Sequence, residues 1–321
     1  MRFAPSPEQR EFAGSLRGLL GACDVPSVAR AWSSGDYAPG RKLWARLAET
    51  GFMALGTSEE HDGFGAHPVD LVVGFEELGR AAVPGPYVES VAVLPVLLPG
   101  TSAEARLAGI LAGETIATLA FPPHVPFALD AATADVAFVV DGFILRAATV
   151  GPEVESVDRA RRVSETVSGD VIAHSVDAGR AFEVGALATA AQILGAGGAL
   201  LDMATTYAKQ RVQFGRPIGQ FQAVKHLLAD ALVSLELARP MLYGAAIAVA
   251  DNSPTLARDV SAAKVACTDA AYRASRASLQ VHGAIGYTAE YDLVLWLTKV
   301  RALVSAWGTP AVHRSRVMAA L

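Results

Sequence analysis

A run without any charged side chain, residues 184–201, places the strongest constraint on how this chain folds. Its residues are mainly Ala and Gly, and Thr189 and Gln192 are its conspicuous polar members. Glu183 and Asp202 bracket the run directly. A membrane-spanning helix is one interpretation of such a stretch. Small residues on every face also let other helices approach closely, which favours a helix buried inside a soluble bundle.

The composition permits a large folded core and excludes several functional classes. With 321 residues, of which 52% are hydrophobic, the chain can form two or three subdomains. Its net charge of −5 comes from interspersed acidic and basic residues, so no surface for nucleic acid is expected. Cys23 and Cys267 lie far apart and the histidines show no ligand spacing, which predicts neither disulfides nor a metal site. Residues 1–10 lack the apolar core of a signal peptide, and we expect a cytoplasmic location.

Periodicity predicts a mainly α fold with a small β domain. Ser6 and Pro7 are typical of a helix start, and Asp141 with Gly142 predicts a hairpin turn between two strands. The regions are an N-terminal helical domain, a middle β domain and a C-terminal four-helix bundle, at residues 1–113, 114–180 and 181–321. Short loops between the last helices favour antiparallel neighbours. These four helices are predicted at residues 181–213, 219–251, 254–282 and 288–305.

The connection between the first two of these helices, residues 211–222, gathers side chains that suit a phosphorylated ligand. Arg211 supplies a cation, Gln213 an amide and Phe214 an aromatic ring, all on one loop at the end of a helix. A guanidinium pairs with phosphate, an amide makes hydrogen bonds, and a ring stacks on a flat group. An ordinary helix–helix connection is the alternative interpretation of this loop.

Several motifs together resemble the acyl-CoA dehydrogenase family, and the match extends over most of the chain. The first region contains counterparts of the family's W-x-x-L-A-E-x-G, P-E-E-x-G-G-x-G and E-E-L-G-R motifs at residues 44–51, 52–65 and 76–80. The last region contains counterparts of Y-x-x-x-R-x-Q-F-G-x-P-I-x-x-F-Q and Q-x-x-G-G-x-G-Y at residues 207–222 and 280–287. The resemblance implies the family's fold and its FAD-dependent α,β-dehydrogenation of an acyl-CoA thioester.

The resemblance also implies which residues bind the cofactor. Family members are tetramers in which each FAD lies mainly on one subunit's β domain and final helices, while its ADP portion reaches the next subunit. The second-subunit contacts carried over to this chain are Arg211, Gln213, Phe214, Gln280 and Gly283. An arginine can pair with pyrophosphate, and a glycine turn lets backbone N–H groups approach it. His282, beside Gly283, either approaches the same phosphate or caps a carbonyl.

The resemblance fails at the residues that perform the reaction. The family's catalytic glutamate stands at one of two positions, and here these are Trp307 and Gly185, neither of which can accept a proton. Glu183 is a candidate for a shifted base, although an exposed charge near a helix start is its simpler interpretation. The family's T-E-P-x-x-G-S-D segment aligns with residues 118–123 without its G-S-D, and its W-I-T-N segment has no counterpart. The middle β domain is therefore truncated.

These gaps predict a shared active site. The chain retains the residues that a subunit offers to its neighbour's FAD and lacks those that hold and use its own. In this it resembles the short subunit of the α2β2 acyl-CoA dehydrogenases of actinobacterial steroid and cholesterol catabolism, which pairs with a longer paralogue. The expected partner supplies the catalytic glutamate, and the expected substrate is an acyl-CoA with a steroid-derived acyl group. An autonomous homo-oligomeric enzyme with a displaced base and a non-enzymatic scaffold are the alternatives.

Overall fold

The computed structural model describes residues 5–321 and begins with helices, as the sequence predicts. They are α1 (Pro7–Gly21), α2 (Val25–Ser33), α3 (Ala38–Glu49), α4 (Pro68–Arg80), a π-helical segment (Val88–Val93), α5 (Leu94–Leu97) and α6 (Arg106–Leu111). The predicted cap is confirmed: the Ser6 hydroxyl accepts a hydrogen bond from the Gln9 N–H at 3.2 Å, and the Gln9 side chain accepts one from the Ser6 N–H at 2.9 Å. This reciprocal pair satisfies two backbone donors that a helix start otherwise leaves free.

A five-stranded sheet follows the first helices. Its strands are β1 (Ala117–Ala120), β2 (Ala128–Leu129), β3 (Val136–Asp141), β4 (Ile144–Val154) and β5 (Val163–Ala173). The spatial order is β1-β3-β4-β5-β2, with β1 parallel to β3, whereas β3–β4, β4–β5 and β5–β2 are antiparallel. The predicted hairpin turn between β3 and β4 is confirmed, and Gly142 there has a φ of 60°, which glycine adopts without strain.

The remaining chain is again mainly helical. Its elements are α7 (Ala178–Gln210), β6 (Val212–Gln213), β7 (Arg216–Pro217), α8 (Gln222–Ala250), α9 (Leu256–His282), α10 (Leu293–Leu303) and α11 (Pro310–Ala319). The four predicted helices are present with shifted ends, and α11 is an additional one. Its polar sequence lacks the apolar stripe by which a packed helix is recognised, although Thr309 caps its start. Strands begin at Ala117 and helices resume at Ala178, while the division into domains at residues 113/114 and 180/181 stays a prediction.

Helix α7 lies at the centre of the helical packing, against α4, α8, α9 and α10. It is long and apolar enough to cross a membrane, as is α8, but 94% of the apolar stretch of α7 is buried within the chain, as in a core helix. A Cβ on Gly195 would lie 1.9 Å from the Glu76 carbonyl oxygen, and one on Gly79 would lie 1.9 Å from that of Gln192. Because only glycine lacks a Cβ, α4 and α7 can meet backbone to backbone.

Candidate functional site

Two motif loops lie side by side at the ends of the long helices. The first connects α7 to α8 through the short hairpin β6–β7, whose base is closed by a hydrogen bond from the Ile218 N–H to the Arg211 carbonyl at 2.8 Å. The second follows α9 at Gly283. Val281 packs with Ile218 in an apolar cluster that also includes Ala204 of α7. The structure therefore brings the two predicted groups of cofactor residues into one region.

The β6–β7 hairpin projects an aromatic side chain into solvent. Phe214 is 91% exposed, and its φ of 53° lies in the left-handed region that residues other than glycine rarely adopt. The Arg216 guanidinium covers the Phe221 ring at 4.3 Å, while Phe214 meets the edge of that ring at 6.1 Å. An exposed ring on a strained turn is typical of a contact with another molecule.

The other four predicted cofactor residues are exposed to solvent in the same region. Arg211, Gln213, Gln280 and Gly283 are all exposed. Gly283 has a φ of 63° and a ψ of −139°, a conformation that favours glycine, and a Cβ there would meet open space. A cation, two amides and an uncovered backbone turn on one surface are groups that can bind phosphate.

His282 serves the fold rather than this surface. It is buried, and its ring lies 4.4 Å from the ring of Tyr207 and 5.4 Å from that of Tyr291. Its Nδ1 bonds the Ser278 carbonyl at 2.8 Å, and burial lowers its pKa. Of the two interpretations drawn from the sequence, the structure confirms the carbonyl contact.

The two positions at which the resemblance places a catalytic glutamate meet in space. A Cβ added to Gly185 of α7 would lie 2.4 Å from the Cε3 atom of Trp307. Trp307 is 1% exposed, and its Nε1–H donates to the Glu89 carboxyl group at 3.1 Å. Its carbonyl bonds the Nε2 of His313 at 2.8 Å. The indole therefore occupies the space that a side chain at position 185 would enter, and neither position presents a carboxylate.

Aromatic rings surround the indole. The ring centroids of Phe121 and Phe182 lie 6.1 and 6.3 Å from that of Trp307. His313 stacks on Phe182 at 5.9 Å. Edge-on and offset contacts of this kind are the favourable arrangements for aromatic pairs. These four side chains, which we call the Trp307 cluster, pack the start of α7 against α11 and the end of β1.

Glu89 is a buried carboxyl group that the motif analysis does not anticipate. It is fully buried, and burial raises its pKa above the ordinary range of a glutamate. One oxygen accepts the Trp307 Nε1–H, and the other has no hydrogen-bond partner among residues 5–321. Burial thus shifts the equilibrium of this carboxyl group towards its protonated form. Its sequence signal was a lone acidic residue in the apolar run of residues 88–98.

Glu183 is not the exposed charge that the sequence predicts. It is 5% exposed, and its carboxylate pairs with the Arg316 guanidinium, which also covers the Phe182 ring at 4.7 Å. Burial raises the pKa of Glu183, and the charge of Arg316 opposes that rise. The expectation is wrong because α11, which the sequence analysis misses, brings Arg316 over the start of α7. This pairing argues against Glu183 as a shifted base.

Sequence profiles of two known domains match the helical regions on either side of the sheet. The profile for the Acyl-CoA dehydrogenase, N-terminal domain, matches residues 6–114, and that for the Acyl-CoA dehydrogenase, C-terminal domain, matches residues 177–321. The chain belongs to the acyl-CoA dehydrogenase family. Members of this family are flavoprotein oxidoreductases that act on CH–CH groups, which confirms the activity class predicted from the motifs.

Individual acyl-CoA dehydrogenases are similar to this chain over nearly the whole length of both proteins. Acyl-CoA dehydrogenase IpdE2 of Mycolicibacterium smegmatis is 32% identical over 318 residues, spanning 98% of this chain and 99% of that protein. The ChsE4-ChsE5 complex of Mycobacterium tuberculosis aligns with a TM-score of 0.86 at 21% identity, over 99% of this chain and 98% of that chain. The Tcur3481-Tcur3483 steroid ACAD aligns with a TM-score of 0.85 at 22% identity, over 97% of each chain. The two structures confirm the predicted fold.

Proposed function

We propose that this chain is the non-catalytic subunit of a heteromeric, FAD-dependent acyl-CoA dehydrogenase that carries out α,β-dehydrogenation of an acyl-CoA thioester. The contact between Gly185 and Trp307 carries the proposal. Removal of the α-proton needs a base, and a positioned base typically contributes about 10²–10⁴-fold in rate. Because a glycine and a buried indole occupy both positions of that base, a partner must supply the glutamate.

This chain would contribute a grip on the ADP portion of the FAD that its partner holds. When bound, the flavin accepts the hydride that leaves the β-carbon of the substrate. Arg211 would pair with the pyrophosphate, Gln213 and Gln280 would donate hydrogen bonds, and the backbone at Gly283 would approach the phosphates. Phe214 would add an apolar ring. The exposure of all these residues on one surface supports this role.

The proposed partner is a longer acyl-CoA dehydrogenase paralogue, in an α2β2 heterotetramer. One structure of the same fold is a ChsE4-ChsE5 complex and another is a steroid ACAD, which supports a heteromer and a steroid-derived acyl group. We place the complex in the cytoplasm, since both cysteines, Cys23 and Cys267, are free thiols.

Co-expression with such a paralogue tests the proposal. The two chains should purify together, carry flavin absorbance and oxidise an acyl-CoA, whereas this chain alone should be colourless and inactive. Replacing the partner's catalytic glutamate with glutamine should abolish turnover of the complex. A yellow, active protein made from this chain alone would contradict the proposal, and a stable complex without flavin would indicate a scaffold.

A further inference from the structure

A partly buried segment connects the two longest strands of the sheet. Residues 155–162 connect β4 to β5 and pack between the sheet and α10. We infer that this segment replaces the flavin at the junction of the β domain and the final helices, so that protein alone holds the junction together in this subunit. The FAD content that we expect of the heteromeric complex rests on the proposed function. The absence of FAD binding that we expect of the isolated chain does not.

Asp158 attaches the segment to the final helices. Asp158 is 2% exposed, and its Oδ2 lies 3.5 Å from the Nζ of Lys299 on α10, which is 3% exposed. The Lys299 ammonium also donates to the Val83 carbonyl at 3.1 Å. Two opposite charges buried together hold each other, because moving either one would leave the other desolvated and unpaired. The ion pair therefore joins the β domain to α10 and to the loop after α4.

The end of the segment is bonded to the sheet and to the N-terminal helices. The Asp130 N–H donates to the Arg162 carbonyl at 2.6 Å. In return, the Asp130 carboxyl group accepts the Arg162 N–H at 3.1 Å and the Nε1–H of Trp32 on α2 at 3.0 Å. Ala160, between the two attachment points, is 3% exposed. The segment is thus held at its middle and at its C-terminal end by buried contacts with three parts of the chain.

The junction has almost no free volume. A cavity of about 10 Å³ is left there, lined among others by Leu129 of the sheet, Arg161 of the segment, Gln192 of α7 and Leu303 of α10. That is about the space of one water molecule, whereas ligand sites measure about 300–1,000 Å³. Thr118, where the family's T-E-P segment begins, is also turned inward and donates its hydroxyl to the Leu129 carbonyl at 2.7 Å. The residues present do not fit an isoalloxazine ring.

Flavin binding tests the inference directly. The full-length chain alone should have the same Tm with and without added FAD, and it should retain no flavin after desalting. In the complex with the longer paralogue, flavin released by denaturation should amount to one FAD for every two chains. An FAD-dependent rise in Tm of the isolated chain, or one FAD per chain in the complex, would overturn the inference. An active complex with one FAD per chain would overturn the inference but would still support the proposed function. An isolated chain that binds neither FAD nor a partner would overturn the proposed function but not the inference.

Asp158→Asn, measured in the complex, tests the attachment of the segment. The substitution keeps the size of the side chain and removes the counter-ion of Lys299. Amide hydrogen exchange in residues 155–162 is expected to become about tenfold faster, because the local opening of this segment is no longer opposed by the ion pair. Arg159→Gln changes an exposed charge in the same segment and should leave the exchange rates unchanged. Equal rates in the two variants would overturn the inference that the ion pair holds the segment in the flavin's place.

Discussion

Trp307 and Gly185 form a complementary pair, in which the indole lies where any side chain at position 185 would begin. Hydrogen bonds to Glu89 and His313 fix the tryptophan at its ring and at its backbone. A glutamate at position 185 would collide with the indole. The tryptophan at position 307, one of the family's two catalytic positions, therefore disfavours any side chain at the other, position 185.

Gly185→Ala should destabilise the fold through this contact. The new methyl group would lie 2.4 Å from the indole, which its hydrogen bonds hold in place, and overpacking of this kind costs about 1–3 kcal/mol. Urea denaturation measures the change in the free energy of unfolding. Gly244→Ala on α8 is the matched control, since a Cβ there meets no atom within 4 Å. It should raise stability by about 0.5–1 kcal/mol, because alanine is the better helix former. Equal effects of the two substitutions would show that the close contact is absent.

Phe214→Ser should weaken flavin retention in the complex without affecting the fold. The side chain is 91% exposed, so the free energy of unfolding of this chain should change by less than about 0.5 kcal/mol. Loss of an aromatic anchor should raise the Kd of the complex for FAD by about tenfold or more. Phe143→Ser, at the turn between β3 and β4, removes another exposed ring, 68% accessible, and should leave FAD binding unchanged. Flavin fluorescence titration measures both Kd values. Identical values would show that Phe214 does not contact the cofactor.

Glu183→Gln should reduce stability and leave turnover intact. It removes the carboxylate that pairs with Arg316, whose side chain is 28% exposed, so solvent compensates part of the loss and a cost of about 1–2 kcal/mol is expected. Glu236→Gln, where the side chain is 57% exposed, should cost less than about 0.5 kcal/mol. Activity of the complex and thermal unfolding are measured on the same samples. Loss of activity with unchanged stability would instead make Glu183 the displaced base.

The buried amino group of Lys264 should make stability depend on alkaline pH. Burial lowers the pKa of Lys264 to about 7, and its Nζ donates to the Leu303 carbonyl at 2.9 Å. Between about pH 7 and pH 10.4 the unfolded chain binds this proton and the folded chain does not, so stability rises with pH by up to about 1.4 kcal/mol per unit. Lys264→Met should remove this rise. Chemical denaturation at several pH values between these limits measures the slope, and an unchanged slope in the variant would exclude Lys264 as its source.

Local signals in the sequence were sufficient for the order of a helical region, a small sheet and a second helical region, although they missed α11. Ser6 starts α1 because its hydroxyl accepts a backbone N–H a few residues along, and Gly142 turns the hairpin because it accepts a positive φ. The uncharged residues of α7 require burial wherever they lie. The absence of a carboxylate at positions 185 and 307 is likewise readable from the motifs alone.

Contacts between distant residues had to come from the tertiary structure. The sequence does not show that Trp307 touches Gly185, that Glu89 lies behind the indole, or that Arg316 covers Glu183. Each contact joins residues far apart in the chain, and its energy depends on burial that the whole fold creates. Periodicity and capping describe one element at a time, so they predict where helices and strands begin but not which space remains for a flavin or a base.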